Sequence, residues 1–180
     1  MVALKPLSRR RSSLAVFLDR HSPKRLIKGA AHKNTYDTAS SWNGLDSITP
    51  FGASPFTTIG QTFTVPTNGD TVLDSFTIFL RQNSANAIGF RGYLMAWDGG
   101  KATGPVLYES SQEATFQRNV FSPFNFVTGG INLLAGQQYV VFINASTISN
   151  NGSGSVGLLS SNPYPGGDGF FSTMGQTSPR

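Results

Sequence analysis

Residues 89–110 read GFRGYLMAWDGGKATGPVLYES, and this stretch decides the fold class. Residues 90–97 are apolar and aromatic, with one charge at Arg91. Asp98-Gly99-Gly100 breaks that run, and Gly104-Pro105 breaks the chain again before Val106, Leu107 and Tyr108. Each break has its own cause: Gly supplies positive φ, Pro fixes φ, and Asp bonds its own backbone. The stretch predicts strand, tight turn, strand. With a period of two, Arg91, Tyr93, Met95 and Trp97 share one face of the first strand, and Phe90, Gly92, Leu94 and Ala96 the other.

The same grammar extends in both directions. In residues 61–65, Phe63 and Val65 share a face; Pro66 ends the run, and Thr67-Asn68-Gly69-Asp70 is a turn signal. Val72, Phe76, Ile78 and Leu80 then alternate with Ser75, Thr77 and Phe79, as in a half-buried strand. Pro123 places the strand in residues 119–127 at an edge or a bulge. Gly129-Gly130 and Ala135-Gly136 turn the chain into further runs, of which QQYVVFIN at 137–144 is β-branched and aromatic throughout. Two late strands are expected at 156–160 and 169–173, and residues 34–59 read as a loop with at most one short strand. Eight or nine strands at intervals near 8–12 residues predict an all-β, antiparallel two-sheet sandwich, jelly-roll-like.

Composition agrees with strands. The chain has 14 Phe, no Cys and 13% charged residues. Without Cys there is no disulfide and no thiolate zinc site. The net charge of +5 is unevenly spread: residues 1–33 hold nine Lys and Arg against Asp19 alone, and the rest of the chain is mildly acidic. Two domains are therefore expected, a basic, disordered N-terminal tail at 1–33 and a β-sandwich at 34–180. Within the tail, Leu14-Ala15-Val16-Phe17-Leu18 is shorter than the roughly 7–15 apolar residues of a secretory signal, so no working signal peptide is expected. No segment approaches the ~18 apolar residues of a membrane span.

Several motifs occur together in one order: Gly60-Gln61-Thr62-Phe63-Thr64-Val65-Pro66, Val72-Leu73-Asp74-Ser75-Phe76-Thr77, Ala96-Trp97-Asp98-Gly99, Thr103-Gly104-Pro105-Val106-Leu107-Tyr108 and Gly136-Gln137-Gln138-Tyr139-Val140. Over about residues 36–160 the chain resembles bacterial exported proteins of the PEP-CTERM sorting class. The resemblance implies a β-sandwich ectodomain at the cell surface or outside the cell, and little defined biochemistry. Residues 175–180 carry no Pro-Glu-Pro motif, so no anchor is expected there.

The histidines, His21 and His32, both lie in the tail, which leaves the sandwich without Ser-His-Asp catalysis or His-ligated metal. A carboxylate pair for glycoside hydrolysis remains formally open among Asp74, Asp98, Glu109, Glu113 and Asp168. Solvated surface acids are the better reading, and neither an enzyme nor a cofactor is expected. Asp98 is read as a cap on backbone amides of its turn, with calcium as the weaker alternative. Arg91, Tyr93, Trp97 and Trp42 are the candidate ligand-binding residues. If the aliphatic face of the 90–97 strand points inward, Tyr93 and Trp97 form an exposed platform for stacking on a sugar ring; otherwise Trp97 lies in the core with Arg91 at its rim. Asn144-Ala145-Ser146 and Asn151-Gly152-Ser153 match the glycosylation acceptor pattern, which chance alone explains in an Asn- and Ser-rich chain.

The expected function is a non-enzymatic exported or cell-surface β-sandwich with a structural, adhesive or extracellular-matrix role, its partners extracellular polysaccharide or other surface proteins. The alternatives are a carbohydrate-binding module using exposed aromatics, and a jelly-roll coat protein with a nucleic-acid-binding basic arm. No nucleic acid is expected on the sandwich itself.

Overall fold

The computed structural model describes residues 5–6, 13–21, 34–52, 55–148, 151–164 and 166–173. The chain is all-β. Its strands are β1 (Lys5–Pro6), β2 (Ser13–Leu14), β3 (Val16–His21), β4 (Asn34–Asp37), β5 (Ser47–Gly52), β6 (Phe56–Thr64), β7 (Val72–Gln82), β8 (Gly89–Trp97), β9 (Ala102–Glu109), β10 (Glu113–Ala114), β11 (Phe121–Asn132), β12 (Gln138–Asn144), β13 (Ser153–Leu159) and β14 (Gly169–Thr173). Among the described residues a single 3₁₀ turn, Ala39–Ser41, interrupts them. Among the described residues no helix is long and apolar enough to cross a membrane.

One hydrogen-bonded path runs β10-β8-β12-β6-β5-β13-β7-β3-β4. β9 joins at β8, β11 at β7 and β14 at β6. The pairings are antiparallel except β5 with β6, which meet in parallel at Phe51 and Phe56, so the sheet is mixed rather than purely antiparallel. β8 and β11 pack against each other through side chains. Phe90 of β8 meets Phe124 and Phe126 of β11 at ring separations of 5.0 and 6.5 Å. Phe126 in turn stacks on Phe76, its cross-strand partner on β7, at 4.8 Å. Gly92 leaves the room this requires: a Cβ there would lie 2.5 Å from the Phe126 ring.

The expected alternation holds. Val72, Phe76, Ile78 and Leu80 are buried, while Ser75, Thr77 and Phe79 are only partly so. Pro123 lies on β11, which among the described residues pairs with β7 alone. Two expected breaks lie inside strands instead. Gly104, at φ 71°, sits within β9, and Gly129 and Gly130, at φ 77° and 88°, sit within β11 at a register shift. A glycine with positive φ lets a strand absorb an extra residue without ending.

The structure departs from the expected boundary at Lys33. β3 lies between β7 and β4, with Leu18 opposite Phe76 and Val16 opposite Ile78. Leu14, Ala15, Val16 and Leu18 are all buried. Thr38 fastens the segment: its hydroxyl accepts from the Val16 amide at 2.9 Å and donates to the Leu14 carbonyl at 2.7 Å. The physical reason is the free side of β7, whose backbone groups and apolar face are satisfied by a strand of matching alternation. The same period of two carries Arg20 inward, where it is 0% exposed. Arg20 is therefore not available to a nucleic acid. The remainder of the expected tail, with Arg9-Arg10-Arg11, Lys24, Arg25 and Lys28, lies outside the described residues, as does its expected disorder.

Candidate functional site

β8 is flanked by β12 on one side and by β9 on the other. Their registers place Phe142 and Glu109 on either side of Tyr93. Tyr93 stacks on Phe142 with ring centroids 5.0 Å apart and planes 13° from parallel. Its hydroxyl donates to Glu109 Oε1 at 3.2 Å. Arg91, two residues earlier on the same face, donates from Nη1 to the same oxygen at 2.9 Å. A strand's period of two and a cross-strand carboxylate thus converge three polar groups at one spot.

Two further segments complete a groove. Ser110 clamps the end of β9 to β8: its hydroxyl accepts from the Gly92 amide, and its own amide donates to the Gly92 carbonyl, both at 2.9 Å. That clamp sets Gln112 beside Glu109. On the β12 side, the Asn144 amide nitrogen donates to Thr58 Oγ1, and its Oδ1 accepts from the amide and hydroxyl of Ser146. The turn so held brings Thr147 and Ile148 to the rim. Arg91, Tyr93, Glu109, Gln112, Thr147 and Ile148 line an open groove of about 460 Å³. Burial, then the neighbouring Glu109 charge and its hydrogen bond, push the Tyr93 hydroxyl above its usual pKa, so it stays a donor at neutral pH. Glu109 is the one carboxylate among the described lining residues, so no two-carboxylate arrangement for glycoside hydrolysis exists within this groove.

Of the candidate residues, the structure brings Arg91 and Tyr93 together and separates the other two. Trp97 is 7% exposed and packs against Phe170 of β14 at 4.5 Å, in a cluster with Ala102, Val140 and Phe142. The aliphatic face of β8 does point inward, but β14 covers the far end of the opposite face, so the expected Tyr93–Trp97 platform does not form. Trp42 is half-buried in its loop. Its indole N–H donates to the Asp46 carbonyl at 2.8 Å, and its ring packs on Phe79 and Phe121.

Asp98 caps its turn as read from the sequence: Oδ1 accepts from the amides of Gly100 and Lys101, both at 2.9 Å. Those two bonds hold its carboxyl below the usual range. Among the described residues no group of three or more His, Asp or Glu side chains gathers to hold a metal. Asn144 is buried with its amide nitrogen engaged, which removes it as a glycosylation acceptor.

Gln112, Thr147 and Ile148 were not readable as site residues, and Glu109 stood in the sequence only as one of five acids weighed for hydrolysis, not as the partner of Arg91 and Tyr93. The register between β8 and β9 shifts between Leu94 and Ala96, next to Gly104, and only that shift sets Glu109 opposite Tyr93. A scan of protein-family models finds none that matches this chain, and a search of curated proteins finds none either.

Proposed function

We propose that this chain is a non-enzymatic exported or cell-surface β-sandwich protein with a structural, adhesive or matrix role. The observation that carries the reading is an uncovered flank. β9 pairs only with β8, and β11 only with β7, so each presents one edge without a strand neighbour among the described residues. Apolar side chains stand out along and beside these edges: Val127 is 65% exposed, Phe116 73%, and Val106 is exposed as well. Open edges with apolar neighbours favour contact with other chains or surfaces. The likeness to PEP-CTERM-class ectodomains and the low charge support the same reading.

Two measurements test it. Protease added to intact cells producing the full-length chain, together with its genomic flanking sequence, digests the protein if it is at the surface; full protection overturns the location. A substrate screen of the purified chain that finds hydrolysis overturns the non-enzymatic role.

A further inference from the structure

We propose that the groove of Arg91, Tyr93 and Glu109 is a binding site for an uncharged carbohydrate, read through a pair of hydroxyls on neighbouring carbons. The inference goes beyond the structural role and does not depend on where the protein resides.

The groove's charge comes first. Arg91 and Glu109 pair at 2.9 Å, so the site is close to neutral before any ligand arrives. An anionic ligand would have to displace Glu109 from Arg91, and a cationic one would meet the guanidinium. A neutral polar ligand faces neither cost. Its volume, about 460 Å³, falls within the range of roughly 300–1,000 Å³ typical of small-molecule sites.

The unused hydrogen-bonding groups define the ligand more narrowly. The ion pair and the Tyr93 hydroxyl both use Glu109 Oε1. Glu109 Oε2, the Arg91 Nε and Nη2 donors, the Gln112 amide and the Thr147 hydroxyl bond no described residue. An acceptor and a donor fork therefore stand side by side. A hydroxyl both donates and accepts, so two adjacent hydroxyls answer this arrangement: one accepts from Arg91 while the other donates to Glu109. Ile148 and the Tyr93 ring supply the apolar surface that the C–H face of a sugar needs. Tyr93 is fixed by Phe142 beneath it and Glu109 beside it, so little ordering remains to be done on binding.

The test uses the full-length chain and calorimetric titration. The probes are cellohexaose, every ring of which keeps neighbouring hydroxyls on carbons two and three; mannohexaose, with the same pair in the other configuration; long-chain laminarin, whose internal rings are linked through carbon three and have none; and an oligogalacturonate as the anionic control. Cellohexaose or mannohexaose is expected to bind, and laminarin and oligogalacturonate to bind at least about tenfold more weakly, a difference of ~1.4 kcal/mol. Glu109→Gln and Arg91→Met are each expected to weaken binding about tenfold or more, with unfolding midpoints near that of the parent because both side chains are surface-exposed. Three results overturn the site: no binding of either neutral hexaose up to about 10 mM, tighter binding of the anionic probe, or unchanged affinity in both variants. Cleavage of a bound hexaose would support the site while overturning the non-enzymatic role, so the two readings fail separately.

Discussion

The guanidinium carbon of Arg20 lies 3.8 Å from the centroid of the Tyr36 ring, and none of the three guanidinium nitrogens meets a hydrogen-bond partner among the described residues. Burial lowers the arginine's affinity for its proton, opposed by electrostatic attraction to Tyr36, Tyr164 and Asp70. A cation over an aromatic face gains about 2 kcal/mol when desolvated. Several kcal/mol is the usual cost of burying a charge without hydrogen bonds. The cost wins, so β3 docks in spite of Arg20.

Arg20→Met should therefore stabilise the protein. Replacing buried charges by well-packed apolar groups of similar volume is often neutral or favourable by about 1–4 kcal/mol. In a chain of this size each kcal/mol moves the midpoint by about 2–4 °C. Thermal unfolding followed by circular dichroism should show a rise of a few degrees. A clear fall would mean that the contact with Tyr36 outweighs the desolvation of the charge.

Alkaline sensitivity should trace to Tyr164. Its hydroxyl donates to the Thr64 carbonyl at 2.9 Å and accepts from the Thr64 amide at 3.2 Å. Burial, followed by its contacts with Tyr36, pushes its pKa from 10.0 up to about 12. A group with a raised folded-state pKa stabilises the fold fully below its unfolded pKa, and that contribution is lost as pH climbs through the folded value. Stability should thus decline between pH 10 and about 12. Tyr164→Phe should be less stable at neutral pH and show a shallower decline over that window. Identical slopes in the two proteins would assign the loss to other groups.

Gly92 should tolerate no side chain. An added Cβ would lie 2.5 Å from Phe126, which is itself stacked on Phe76 and cannot withdraw freely. Overpacking of this kind costs about 1–3 kcal/mol. Gly92→Ala should lower the denaturant midpoint without changing the slope. A double variant, Gly92→Ala with Phe126→Leu, should recover part of the loss because the two sites share one space.

These contacts show what could be read from residue order and what could not. β7, β8, β12 and β14 were legible because their alternation and bounding turns are local properties. β9 and β11 run on through Gly104 and through Gly129-Gly130, because a bulge and a turn use the same residues. Trp97 was ambiguous on its own strand; its fate is decided by Phe170, which sequence order places far away. Only part of the groove was visible. Arg91 and Tyr93 follow from the period of two, whereas Glu109 arrives through a shifted register and Ile148 through a turn held by Asn144. β3 was missed for a different reason: Asp19 and Arg20 interrupt its apolar run and disguise a core strand as part of a basic tail.

That strand gives the sharpest contrast between two truncations. Deleting residues 1–12 removes β1, a two-residue pairing with Phe170 and Phe171. Deleting residues 1–33 also removes β2 and β3, exposes the side of β7 around Phe76 and Ile78, and leaves β4 without its one strand partner among the described residues. Leu14, Val16 and Leu18 are fully or almost fully buried, and each such side chain contributes about 1.5–3 kcal/mol. The shorter deletion should keep the unfolding midpoint within a few degrees of the full chain. The longer one should lower it by more than about 10 °C, at the 2–4 °C per kcal/mol of a domain this size, or yield soluble aggregates. Leu18→Ala in the full-length chain, which keeps the strand in place, should cost about 2–5 kcal/mol. Equal midpoints for residues 13–180 and 34–180, with a silent Leu18→Ala, would show that β3 does not belong to the sheet.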